Sequence, residues 1–173
     1  VCSVNGDCSR FLELWNLVFM QYNRISPTEL VPLSQKYVDT GMGFERIVSI
    51  LQNVDSNYRT DLFKSALKTI QELSGTNEAE MNANFTPYRV ICDHARASSF
   101  LIADGVVPGN VGRNYICRMI IRRAVRFGHQ LGLTEPFMHK VAESIIETYQ
   151  GAYPELRRSH DAILTALKTE EER

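Results

Sequence analysis

Val38-Asp39-Thr40-Gly41-Met42-Gly43-Phe44-Glu45-Arg46 passes from a strand into a helix through two glycines. Upstream, β-branched and aromatic residues cluster between Arg10 and Arg24, and Leu12, Leu14, Asn16, Val18 and Met20 share one face at a period of two. That alternation predicts a strand. Ser26-Pro27-Thr28-Glu29 reads as a turn, and Leu30 to Leu33 with Tyr37-Val38 predicts an antiparallel partner, interrupted by Asp39 to Gly43. Downstream, Phe44, Ile47, Val48 and Leu51 recur at helical spacing, as do Leu62, Phe63, Ala66, Leu67, Ile70 and Leu73. A β-hairpin followed by amphipathic helices is the expectation.

Asn53 to Arg59 reads as a polar connection, and Ser74 to Thr86 as a longer one without hydrophobic period, expected to be a mobile loop. Further helices are predicted over about 87–103, 113–131, 135–150 and 155–172, with breaks at Asp104-Gly105, Pro108-Gly109-Asn110, Gly132, and Gly151 with Pro154. The expected class is α+β, mainly α. A short antiparallel element in residues 1–53 precedes a helical domain in 54–173.

The 173 residues are 44% hydrophobic and 23% charged with a net charge of −1, which fits a soluble globular chain and argues against disordered and membrane classes. Such a balance names no partner. Apolar runs are short and interrupted, and no signal-peptide pattern opens the chain, so the expected location is cytoplasmic. Cys2, Cys8, Cys92 and Cys117 lack C-x-x-C spacing, which argues for reduced structural thiols and no zinc site. The first residue is not Met, and Glu170-Glu171-Glu172-Arg173 still reads as a solvated helix end. The expectation is a piece of something longer.

The glycine junction suits phosphate: glycine admits close backbone approach, a helix N-terminus offers N–H groups, and Arg46 adds a cation. Arg46 stands where a dinucleotide fingerprint needs glycine, and no Gly-Lys-Ser/Thr follows. A glycine turn with Asp39 or Thr40 as helix cap explains the same residues. Asn16, on an apolar face, needs a hydrogen-bond partner in a ligand or a neighbouring strand. In the helix after Asn110, Arg118, Arg122, Arg123 and Arg126 lie largely opposite an apolar arc of Ile116, Cys117, Ile120, Ile121, Ala124, Phe127, Gly128 and Leu131. No acidic residue occurs from Val106 to Gln130, so either RNA or acidic side chains such as Asp93, Glu143 or Glu147 must compensate the charge. Asp93-His94 reads as a buried, satisfied pair.

The chain resembles the alanyl-tRNA synthetases, a class II family, along essentially its whole length. Phe11 to Asn23 is similar to the strand before the family's third class motif, and Val38 to Arg46 to that motif. Asp93-His94, Arg96, Asp104-Gly105, Pro108, Asn110, Arg113, Tyr115, Arg118 and Ile120 to Arg123 resemble its helical tRNA-recognition region. The resemblance implies an alanine–tRNA ligase that activates alanine with ATP and Mg2+ and charges tRNA(Ala). Asn16, Val18 and Asp39 are then expected to bind alanine, with Asp39 facing its ammonium. Leu14, Trp15, Asn16, Gly43 and Arg46 are expected to bind ATP. Asn110, Arg113, Arg118, Arg122, Arg123 and Arg126 are expected at the acceptor stem, Asn110 reading an edge of its G·U pair and the arginines contacting phosphates or bracing the site. Gly109 and Asn114 depart from the Ser or Asp and Gly of many relatives. The resemblance also implies that the first two class motifs, a second acceptor-reading residue and the editing domain lie in the rest of the polypeptide, and that the fragment alone is inactive. The rival readings are a stand-alone helical RNA-binding module and a catalytically dead paralogue.

Overall fold

A computed structural model describes residues 3, 4, 6, 8 and 10–173, and the chain divides into two units, Val1–Asn57 and Tyr58–Arg173. In the first, β1 (Trp15–Ser26) and β2 (Glu29–Met42) form an antiparallel hairpin, followed by α1 (Phe44–Leu51). The ladder pairs Trp15 with Met42, Asn16 with Gly41, Leu17 with Thr40 and Val18 with Asp39. Asp39 to Met42 therefore continue the strand that their sequence was expected to break, because cross-strand pairing outweighs the weak β-propensity of Asp and Gly. The break falls at Gly43, whose N–H donates to the Leu14 carbonyl at 2.9 Å and which is the N-cap of α1. Neither Asp39 nor Thr40 caps that helix. The first strand begins at Trp15, later than the Arg10 expected, and the ladder has irregularities between Met20 and Tyr22 and between Arg24 and Ser26.

Both faces of the hairpin carry large exposed apolar side chains, among them Trp15, Phe19, Tyr22, Leu30 and Val38. Two strands without a covered face are marginal in water.

The second unit contains α2 (Asp61–Ser74), α3 (Glu78–Ala83), α4 (Phe85–Ala103), α5 (Gly112–Gln130), α6 (Met138–Tyr149), α7 (Pro154–Arg158) and α8 (His160–Glu171). Central α4 packs against α2, α5, α6, α7 and α8. Tyr88, Ile91, Cys92 and Ala95 of α4 meet a core that includes Phe63, Ile70, Ile121, Val141, Ile145, Leu156 and Ile163. The expected mobile loop is instead α3 and the start of α4. A capping box at Asn77 and Glu80 starts α3, Thr76 Oγ1 lies 2.6 Å from Tyr88 Oη, and the Arg59 guanidinium stacks 4.7 Å from the Phe85 ring centre. Six helical residues are too few to show a period, which is why this segment looked structureless. The single helix expected over 155–172 is broken at Ser159, whose ψ of 9° turns the chain between α7 and α8.

Glu170 and Glu171 correct the reading of the C-terminus as a solvated end. Glu170 is buried, and Glu171 Oε2 accepts from the backbone N–H groups of Phe137 and Met138 at 3.0 and 2.9 Å, covering the start of α6. Burial raises the Glu171 carboxyl despite those bonds. Cys8 is disulfide-bonded, which corrects its reading as a reduced thiol, whereas Cys2 lies outside the described residues. Cys92 and Cys117 are free and buried. Burial pushes the Cys92 thiol far up and that of Cys117 to about 11.

Close approach of α5 to the residue before α6 depends on Gly128. A Cβ there would sit 2.2 Å from Cε1 of the buried Phe137 ring. Gly128→Ala should destabilise the chain by about 1–3 kcal/mol, because overpacking outweighs the gain in helix propensity. The check is the denaturation midpoint at unchanged slope.

His160 ties α8 to α6: its Nε2 lies 2.8 Å from Glu143 Oε1 and its Nδ1 2.8 Å from Asp161 Oδ1. Those hydrogen bonds, Asp161 first, raise the imidazole above its ordinary value. A raised histidine stabilises the folded state below its unfolded value and loses that contribution as pH rises through its folded value. Burial lowers His139, which acts in the opposite sense over the same range. The difference in melting temperature between the parent and His160→Gln should therefore shrink from pH 5.5 to 8.5. The free-energy contribution of the histidine should stay below about 1 kcal/mol, since the pair is partly exposed.

Candidate functional site

Residues that face each other across an antiparallel ladder project to the same side. Val18 opposite Asp39 and Asn16 opposite Gly41 therefore gather Asn16, Val18 and Asp39 on one hairpin face. All three are exposed. Asn16 Nδ2 donates to Glu13 Oε1 at 2.7 Å, and a Cβ on Gly41 would lie 3.2 Å from Asn16 Oδ1, so glycine leaves that amide room. Asp39 Oδ1 accepts from the Thr40 N–H at 2.8 Å, which leaves Oδ2 for another donor.

On the other face the Trp15 indole N–H donates to Thr40 Oγ1. Arg46 folds back over Gly43, where a Cβ would meet its Cδ at 3.0 Å, and donates to the Glu13 carbonyl at 2.6 Å. Glycine at 43 is what lets this arginine lie flat. Leu14, Trp15 and Arg46 line a cleft of about 900 Å³ with Arg10, Phe11 and Glu13. Two guanidinium groups beside aromatic rings suit a polyphosphate joined to a base. Of the residues expected around ATP, Asn16 and Gly43 do not line the cleft, although Gly43 shapes Arg46.

In the second unit, Pro108 to Gly112 leads into α5, with Gly112 at φ +54°. The Gly109 N–H donates to the Asn114 carbonyl at 3.0 Å, and a Cβ on Gly109 would lie 3.0 Å from Asn114 Cβ. A side chain on Gly109 would therefore crowd that of Asn114. Arg113, Arg122, Arg123 and Arg126 are exposed. Arg118 is not: its side chain is 19% exposed and forks onto Glu170, Nε to Oε1 at 3.0 Å and Nη2 to Oε2 at 3.1 Å. Its Nη1 donates to Asn110 Oδ1. Arg122 and Arg173 approach the same carboxylate at 3.9 and 3.7 Å.

The acidic partner of the arginine face is thus Glu170, while Glu143 is engaged with His160. Sequence reading missed Glu170, yet Ile163, Leu167 and Glu170 recur at helical spacing on the buried stripe of α8. Glu13 and Thr40 were missed as well, because their contacts depend on hairpin register. His94 Nδ1 lies 2.9 Å from Asp93 Oδ2, and the Tyr58 hydroxyl donates to Asp93 Oδ1 at 3.3 Å. The bond to His94 holds the Asp93 carboxyl below its usual range against the effect of burial. Among the described residues no group of three or more His, Cys, Asp or Glu is placed to hold a metal ion, and no helix is long and apolar enough to cross a membrane.

Residues 2–173 match the family described as tRNA synthetases class II (A). An alanine–tRNA ligase of Desulforamulus reducens is 46% identical over 99% of this chain and 20% of its own length. One from Nitrosospira multiformis is 48% identical over 98% of the chain and 19% of its own. A third, from Stenotrophomonas maltophilia, is 49% identical over 99% and 19%. The chain spans about a fifth of the length of these relatives. With the match extending from residue 2 to the last, through both the hairpin and the helices, the chain belongs to the class II (A) tRNA synthetase family.

Proposed function

We propose that these residues form the third-motif and acceptor-stem region of a cytoplasmic alanine–tRNA ligase. The observation that carries the reading is the hairpin register, which sets Asn16, Val18 and Asp39 on one face. Val18 walls a small side-chain pocket, Asp39 meets the alanine ammonium, and Asn16 orients the substrate without adding charge. ATP enters as substrate with its Mg2+, its phosphates drawn to Arg46 and its base to the cleft beside Leu14 and Trp15. The alanine carboxylate attacks the α-phosphorus, the bond to the bridging oxygen breaks, and pyrophosphate leaves. No covalent enzyme intermediate is required, because positioning and charge stabilisation lower the barrier. The rest of the polypeptide completes the site, and residues 54–173 form the domain that meets the tRNA acceptor stem.

A-form RNA displays base edges and 2′-hydroxyls in a wide minor groove. Asn110 reads the G·U pair there, and the exposed Arg113, Arg122, Arg123 and Arg126 contact phosphates. Each lost phosphate contact should reduce the slope of log K against log salt by roughly 0.7–0.9. Arg122→Ala and Arg126→Ala test this in a salt titration with an acceptor-stem helix. Unchanged affinity and slope in both variants would make the arginine face structural.

A further inference from the structure

Glu170 is a buried acid surrounded by cations. Its side chain is 4% exposed, and three guanidinium groups, from Arg118, Arg122 and Arg173, lie within 3.9 Å of its oxygens. A carboxylate is costly to bury unless its charge is matched, and Arg118 meets it at two points, a hydrogen bond from Nη2 to Oε2 and an ion pair of Nε with Oε1. The fork immobilises Arg118. Its remaining Nη1 then donates to Asn110 Oδ1 across the loop that leads into α5. One carboxylate on α8 thereby fixes a side chain 60 residues away in sequence. The arrangement also sets the polarity of Asn110: Oδ1 is taken by Arg118, and the amide N–H groups remain to donate.

We propose that Glu170 and Arg118 are positioning residues for Asn110, holding its amide so that it donates to the acceptor-stem minor groove. This rests on the reading of Asn110 as an RNA contact. Glu170 acts through Arg118 and touches no substrate. It also masks positive charge from Arg122 and Arg173, so it trades affinity for discrimination. A lost buttress that only loosened the fold would lower both.

The test uses the full-length protein and acceptor-stem helices differing only in G·U or G·C. Charging ratios and dissociation constants across salt are measured for Asn110→Ala, Arg118→Lys and Glu170→Gln, with pyrophosphate exchange giving the active fraction of each. Lysine keeps the charge of Arg118 but cannot fork. Asn110→Ala should cut the charging ratio by roughly 5- to 150-fold, the range of one base contact. Arg118→Lys should approach that loss. Glu170→Gln should lose discrimination while its affinity for either helix rises and its salt slope steepens. If Glu170→Gln does not fold, Arg118→Lys carries the test. Wild-type ratios in Arg118→Lys and Glu170→Gln, beside a loss in Asn110→Ala, would overturn the positioning role and leave the Asn110 reading standing. A wild-type ratio in Asn110→Ala would overturn both. Parallel loss of affinity and discrimination with lowered melting would reduce the network to a structural brace.

Discussion

Asp39→Asn in the full-length protein should weaken alanine-dependent pyrophosphate exchange by about 2–4 kcal/mol in kcat/KM, roughly 30- to 1,000-fold. The carboxylate stands opposite Val18 on the face that also carries Asn16, and a substrate ammonium there needs a counter-charge. Asparagine keeps the shape and the Oδ1 that accepts from the Thr40 N–H, so the strand should hold. The loss should therefore appear in kinetics, with the melting temperature unmoved. Near-normal exchange by the variant would remove Asp39 from the amino-acid site.

The 173 residues by themselves should give no alanine-dependent exchange at all. Asn16, Val18 and Asp39 are exposed, as are the apolar side chains on both faces of β1 and β2. A reaction that depends on holding two substrates within bond-forming distance in a dry site cannot proceed on an open face. The unpaired edges and apolar faces should also drive the isolated chain to associate at high concentration. Exchange clearly above a buffer blank, from a preparation free of host ligase, would contradict this.

The helices were legible in the sequence because apolar residues such as Phe63, Ala66, Leu67 and Ile70 repeat at their period and end up in the core. What escaped was set by tertiary contact. Asp39 to Met42 look like a break in isolation and become strand because β1 pairs with them. Glu170 looks solvated from its neighbours Glu171 and Glu172, although its spacing from Leu167 places it inside. The residues proposed to bind alanine came from resemblance, since the polarity of Asn16 on an apolar face fits a neighbouring strand as well as a ligand. Register then placed them together. The link between Asn110 and Glu170 spans two helices and was not readable from any single segment.

The measurement that tests the account most directly is ATP–pyrophosphate exchange by the full-length protein with alanine, followed by charging of acceptor-stem helices that carry G·U or G·C. An alanine–tRNA ligase should show exchange that depends on alanine and charging that depends on G·U. Exchange without regard to alanine, or none, would contradict it.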